Sequence, residues 1–299
     1  MRPLYYLLLI LCCGPLVLSG QEAEAEPEKP VDKPERPAFE SNFLIDNPTD
    51  KLNLKNTLEV VFQHRFGTIG GGNNDLAGIW GAANIRIGAN YTVLDWLQVG
   101  FGTMKFERLQ DFNWKVRILQ QTRSGKVPFN ISYYGNFAIN ARSKENFNLE
   151  QDRYSFFHQL IISRRFNPNF SLQIAPSISH YNLVPEGMNN DVIGIAFGGR
   201  YKVTPNTAIT LDYSLPITSF TETPNTAGVV TDFPDGALNP LPGFSLGMEF
   251  VTSSHAFQVY LSSLNGITPQ VNYFKNQNRF LDGFDSILLG FTITRLYNF

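Results

Sequence analysis

The chain has 299 residues, 43% of them apolar, and a formal net charge of −2, which leaves no electrostatic footprint for nucleic acid. Mean hydropathy is −0.14, ordinary for a water-soluble protein, yet 25 Phe and 12 Tyr make an aromatic load that favours strands and interfaces. Both cysteines, Cys12 and Cys13, lie in the first twenty residues, so the rest of the chain offers no disulfide framework, thiolate nucleophile or Cys-ligated metal.

Residues 1–20, MRPLYYLLLILCCGPLVLSG, place Arg2 before an apolar run at 4–13 and end on the small residues Ser19 and Gly20. That is the layout of a secretory signal peptide, expected to be cleaved near Gly20. The run is short for a spanning helix, and Pro15 interrupts it. A lipid-anchor signal needs small residues ahead of its cysteine, where Ile10 and Leu11 stand instead. Residues 21–37, QEAEAEPEKPVDKPERP, are rich in Glu, Lys and Pro and read as a disordered periplasmic linker. Residues 38–56 then form a periplasmic N-terminal segment, a candidate plug for the strand-rich remainder of the chain.

From 57 to 299 the signal is period two. In TLEVVFQHRF, Leu58, Val60, Phe62, His64 and Phe66 oppose Glu59, Val61, Gln63 and Arg65. In AANIRIGANYTV, Ile85, Ile87, Ala89, Tyr91 and Val93 oppose Asn84, Arg86, Asn90 and Thr92. FNWKVRI and FSLQIAPSI alternate in the same way. Twelve strands are expected, near 57–66, 81–94, 96–106, 111–120, 128–139, 153–165, 169–180, 191–203, 207–217, 243–252, 256–263 and 284–299. Short turns rich in Asn, Asp, Ser or Pro alternate with long loops, although the gap after the third strand is short where a long one is due.

An even number of strands, each long enough to cross a bilayer when tilted, is the pattern of an all-β, transmembrane, antiparallel up-and-down barrel. The barrel form satisfies every backbone group in hydrocarbon and removes sheet edges. One face meets lipid and the other a wet lumen, which reconciles a membrane protein with near-neutral hydropathy. Aromatics near strand ends, among them Trp80, Trp96, Trp114, Phe129 and Tyr201, suit interfacial girdles. A soluble secreted β-sandwich would also alternate, and it stays open as a further reading.

FESNFLIDNPT at 39–49, TLEVVFQHRFG at 57–67, NIRIGANYTVLDWLQVGFG at 84–102 and KVRILQQT at 115–122 resemble the Bacteroidota outer-membrane β-barrel family catalogued as domain of unknown function 5777. His64 to Gly67, HRFG, is the most specific piece. The resemblance implies a barrel in the outer membrane of a Gram-negative cell and implies no activity.

Candidate chemistry is sparse. His64 and Arg65, where the first strand meets a long loop, are a candidate anion-binding pair; alternatively Arg65 pairs with a lumen or loop carboxylate. The Gly-rich run GTIGGGNND lacks the Lys–Ser/Thr step of a phosphate loop, and Asp75 alone makes a poor calcium cage. No catalytic or metal constellation and no cofactor is expected. An outer-membrane lipid hydrolase would need a Ser beside His64 or His158 on the outer face, and neighbouring strands leave that open. Arg86, Lys115, Arg117, Arg200, Asp212 and Glu249 are expected to line the lumen as a basic wall opposite a mixed one, with space between them at Gln98, Gly100 and Gly102. Such a separation would favour a small anionic solute in an open channel; mutual pairing of the charges would instead fill the lumen. The expected role is a small passive channel or a binding and scaffold barrel. Expected partners are outer-membrane lipid and the outer-membrane insertion machinery, for which Tyr297 and Phe299 form a candidate assembly signal, and nucleic acid is not expected. Arg295 shares the outward row of those aromatics and must snorkel or be turned inward by a bulge.

Overall fold

The computed structural model describes residues 32–220 and 239–299. The expected signal peptide and residues 21–31 of the linker lie outside the described residues.

Twelve strands close into one antiparallel barrel in which each pairs with its sequence neighbours and the last with the first. They are β1 Thr57–Thr68, β2 Asn84–Leu94, β3 Leu97–Met104, β4 Leu109–Leu119, β5 Asn130–Asn140, β6 Tyr154–Arg165, β7 Phe170–Tyr181, β8 Asp191–Thr204, β9 Thr207–Pro216, β10 Gly243–Val251, β11 His255–Ser262 and β12 Leu288–Asn298. The alternation of the sequence becomes the two faces of the wall. Ile87, Val99, Phe101, Phe112, Leu172, Ile174 and Val259 are exposed on an apolar outer belt, while Glu59, Gln63, Arg86, Asn113, Ser132, Gln159 and Gln258 are buried inside.

Chain entry into β1 and exit from β12 share one end of the barrel, the terminal end, with the turns at 95–96, 120–129, 166–169, 205–206 and 252–254. The opposite end is the loop end. The short connection at 105–108 belongs to the loop end and has a local cause. Glu107 and Arg108 adopt left-handed backbone, with φ of 55° and 51°, which for residues with a Cβ needs compensation. The bend turns Glu107 into the mouth, where it forms a buried ion pair with Lys275.

Among the described residues two inserts fill most of the interior, and Phe220 of the loop after β9 joins the apolar cluster there. One is residues 38–53, nearly all buried, folded on a small hairpin of Phe43–Leu44 with Asn47–Pro48. The other is the helix α1, Pro269–Lys275, which the loop between β11 and β12 folds inward, burying six of its residues. Strand periodicity leads one to expect only a loop there. A seven-residue helix is too short to show an apolar stripe. The available signals are Thr268 before Pro269, a helix start, and the apolar Ile267, Val271, Tyr273 and Phe274 where an exposed loop would be polar.

One expectation changes. The linker does not run disordered to residue 37. Pro34 bridges Thr122, the Glu35 N–H donates to the Gln121 carbonyl at 2.7 Å, and the Arg123 N–H donates to the Lys33 carbonyl at 3.0 Å. Residues 33–36 therefore lie as a strap along the β4–β5 turn. Of the two placements open to Arg295, it keeps the outward one without a bulge, in register with Val60 and His255, and its guanidinium stacks 5.0 Å from the Tyr297 ring. Its place in the last residues of β12 lets the charge reach the membrane surface.

A lipid-facing belt makes a depth-dependent prediction. Phe101→Arg, in the middle of β3, is expected to destabilise the barrel by about 2–4 kcal/mol, and Arg295→Leu, at the rim, by about 1 kcal/mol or less. Reversible urea unfolding from lipid vesicles measures both, and equal effects at the two positions would contradict the belt.

Candidate functional site: the filled lumen

The centre of the lumen is the turn Ile45–Asp46 at the tip of the inserted hairpin. Ile45 has a φ of 56°, rare for a β-branched residue, and is completely buried. What holds it is a set of polar contacts from one arc of the wall, β9 to β11 and β1. Arg65 of β1 forms a buried ion pair with Asp46 and a hydrogen bond with Tyr260 of β11. Ser245 Oγ of β10 donates to the other Asp46 oxygen at 3.0 Å. On the adjacent strand, directly opposite Ser245, one oxygen of Asp212 on β9 accepts the Asp46 and Asn47 N–H groups at 3.1 and 3.2 Å, and the other accepts Asn47 Nδ2 at 2.6 Å. Gln258 of β11 brackets the turn through the Ile45 N–H and the Phe43 carbonyl, at 3.0 and 2.8 Å.

Two further ion pairs and a set of hydrogen bonds engage other lumen charges. Arg86 of β2 makes a two-pronged contact with Asp111 of β4, at 2.8 and 2.7 Å, across the intervening β3. Gly102 permits this, because a Cβ there would lie 2.3 Å from the guanidinium. Arg200 of β8 reaches Glu249 of β10 at 2.6 Å, and the second Glu249 oxygen accepts Ser41 Oγ at 2.6 Å. Lys115 of β4 donates to the Asn42 side chain at 3.1 Å and to the Lys51 carbonyl at 3.0 Å, while Glu59 accepts Asn42 and Asn90. Arg117, half-buried at the terminal mouth, donates to the Asp95 carbonyl at 3.0 Å. Asp50 is fully enclosed, and that burial raises its carboxyl above the ordinary range, opposed by a Ser163 hydrogen bond and by the charges of Lys115 and Arg117.

All six expected lumen charges thus lie inside or at the mouth of the barrel, but not as a basic wall facing a mixed one. Arg86 and Arg200 each have a carboxylate on a nearby strand, so the charges alternate around the wall. The space expected at Gly100 and Gly102 is taken by the Asn90, Asn113 and Arg86 side chains. Sequence reasoning missed Asp46, Asp111, Glu59 and Tyr260 as partners; inward parity marks Asp111 and Glu59, and the turn residues Asp46-Asn47-Pro48 mark the hairpin.

The His64–Arg65 pair does not form a site. Strand alternation sends Arg65 inward to Asp46 and His64 outward, where its ring stacks 5.2 Å from Phe291 between Phe62 and Phe66. On the outer face His158 Nδ1 shares a 2.6 Å hydrogen bond with the Tyr133 hydroxyl, and at the loop end His180 contacts Asp191 at 2.9 Å and Asn182 at 3.0 Å. Among the described residues no serine hydroxyl bonds any of these three histidines. His255, the first residue of β11, touches Ser254 Oγ of the preceding turn at 3.1 Å, at the terminal end. Among the described residues no group of three His, Cys, Asp or Glu side chains could hold a metal ion. Asp75 Oδ1 closes its own loop on the Gly78 N–H at 2.9 Å. Tyr297 and Phe299 are both exposed at the terminal end.

The second insert faces a different wall. Phe157, Ile161, Ala175, Val192 and Ala196, from β6, β7 and β8, make an apolar interior surface with Tyr134 of β5 and pack with Tyr273 and Phe274 of α1. The Phe157 and Tyr273 rings stack at 5.8 Å.

Compared with solved structures, the chain is similar to an outer membrane channel from Pseudomonas putida F1 (11% identity, 83% of this chain and 97% of that one, TM-score 0.48). It is similar also to the NanC porin (7% identity, 81% and 99%, TM-score 0.47) and the KdgM porin (5% identity, 81% and 99%, TM-score 0.45). No curated protein sequence matches it. The family whose model does match, over residues 39–297, is described as a membrane bound beta barrel domain, and it takes in both the inserted hairpin and all twelve strands. The chain belongs to this membrane-bound β-barrel family, domain of unknown function 5777.

Proposed function

We propose that this protein is an outer-membrane barrel, exported by its N-terminal leader, whose lumen is closed at rest and which acts through its two mouths as a binding or scaffold barrel. The observation that carries this reading is the Asp46 turn, fixed at once by Arg65, Ser245 and Asp212 from three separate strands. A wet passage of the porin kind needs lumen charges free to meet solutes. Here Arg65, Arg86 and Arg200 are buried in ion pairs, and the β5–β8 side is packed apolar against α1. Selection for an anionic solute would require a field that these pairs cancel. Terminal-end turns and residues 33–36 would face the periplasm, the loop end the outside.

Single-channel recording on the refolded, heat-modifiable protein tests the closed state. The expected trace stays at baseline; reproducible conductance steps from wild-type protein would show that the inserts do not seal the lumen.

The pin can be tested separately. Asp46→Ala leaves Arg65 buried without its carboxylate and is expected to cost about 3–5 kcal/mol of stability. Replacing both partners by apolar residues, Asp46→Leu with Arg65→Met, is expected to recover most of that loss. Unfolding midpoints of the two variants decide it, and a double variant no more stable than Asp46→Ala would remove the uncompensated charge as the cause.

A further inference from the structure

At the terminal end a cavity of about 650 Å³ opens between the β4–β5 turn, the β6–β7 turn and the strap residues Glu35 and Arg36. Among the described residues, Arg36, Arg123, Arg164 and Arg165 line it against the one carboxylate of Glu35. That carboxylate is engaged, since it accepts Arg165 Nη1 at 3.0 Å and the Arg36 N–H at 2.8 Å. Arg123 is positioned by the strap, its Nε donating to the Pro34 carbonyl at 3.2 Å.

Arg164 is the informative member. It lies on the outward row of β6, next to the inward Ser163, so it stands at the lower edge of the apolar belt rather than in the lumen. Its guanidinium sits 5.6 Å from the Phe129 ring and 5.0 Å from the Phe166 ring, both exposed, and its Nε is buried with no hydrogen-bond partner. Two aromatic rings hold the planar cation at the boundary between hydrocarbon and water. Thr122, Ser124 and the Gly125 turn add hydroxyl and backbone groups to the same cavity. Guanidinium forks match the geometry of phosphate oxygens, and the anion concentrated at that depth of a bilayer is the phosphate diester of a lipid headgroup.

We propose that this cavity binds the phosphate of an anionic phospholipid from the terminal-side leaflet, held by Arg123 and Arg164. The bound headgroup bridges the strap to the barrel rim, because Arg123 is joined to Lys33 and Pro34 by hydrogen bonds. The site requires only that the belt lie in a membrane. It does not depend on the lumen being closed, and its test reads lipid adducts rather than conductance.

The experiment is native mass spectrometry of the full chain in detergent with added phosphatidylglycerol, phosphatidylcholine or inorganic phosphate. Wild-type protein is expected to retain phosphatidylglycerol in preference to phosphatidylcholine. Arg123→Gln with Arg164→Gln is expected to reduce that occupancy about tenfold or more, as loss of charge-assisted hydrogen bonds implies. Arg295→Gln, an outer-face arginine away from the cavity, keeps it. Heat-modifiability on gels confirms that each variant is folded, and single Arg164→Gln serves if the double variant is not. Inorganic phosphate that displaces the lipid from wild-type protein, and fails to bind the double variant, supports the same chemistry with a soluble phosphate as its source. Undiminished phosphatidylglycerol adducts on the double variant, or an equal loss in Arg295→Gln, overturn the site.

Discussion

The contact between Asp46 and Arg65 is the constraint around which the interior is organised. A guanidinium on the inward row of β1 cannot lie buried in a filled barrel without an anion, because desolvating a lone charge costs several kcal/mol. The anion comes not from a neighbouring strand but from a hairpin inserted from outside the sheet. That single need places Asp46 at the turn and forces Ile45 into left-handed backbone. It also brings the Asp46 and Asn47 N–H groups against Asp212 of β9, the cross-strand neighbour of Ser245. A cost of roughly 1–3 kcal/mol for the strained residue is offset by those contacts and by burying the Ile45 side chain.

The wall is shaped for both inserts at once, and β8 shows how. Its inward row reads Val192, Gly194, Ala196, Gly198, Arg200 from the loop end to the terminal end. A Cβ at Gly194 would fall 2.3 Å from the Tyr273 ring of α1, and one at Gly198 would fall 2.6 Å from Leu44 of the hairpin. Arg200 then takes Glu249 near the terminal mouth, on the carboxylate that also holds Ser41. One strand therefore presents an apolar seat for the helix, a recess for the plug and an ion pair below it. The small residues are where the inserts approach, so glycine here marks a filled space rather than an open one.

This is also where legibility in the sequence ends. Which residues face out was readable, because a barrel with lipid on one side makes period two a strong requirement along every strand. Strand number, the closing pair and the outward place of Arg295 follow from the same periodicity. Pairing inside the lumen was not readable, because it joins residues that periodicity does not relate. Arg86 and Asp111 sit two strands apart, and Lys275 meets Glu107 across 168 positions of chain. Taken one strand at a time, Arg86, Lys115 and Arg117 look like a basic surface; Asp111 meets Arg86 only across β3, and Asn42 and the Lys51 carbonyl meet Lys115 only when the first insert folds in. Gly102 was read as empty space for the same reason, since the Arg86 side chain that fills it comes from the next strand. His64 and Arg65 show the converse, for adjacency in sequence is what separates them on a strand.

The two layers of the molecule differ in how they can be undone. Strand closure and the apolar belt are cooperative, since opening one ladder exposes backbone to hydrocarbon along its whole length. The inserts are held to the wall by side chains, through polar groups that water could also satisfy. Removing Asp46 alone keeps water out and strands the Arg65 charge. Withdrawing the whole segment 38–53 would admit water to Arg65, Lys115 and Glu249 together and hydrate them, so the concerted step recovers a large part of the desolvation that a point change cannot. The strap at residues 33–36 lies immediately before that segment in the chain and is fastened to the rim by Arg123 and Arg165. The strap is joined to the plug by the single residue Pro37, so a contact that fixes the strap also limits how far the plug can withdraw from the wall.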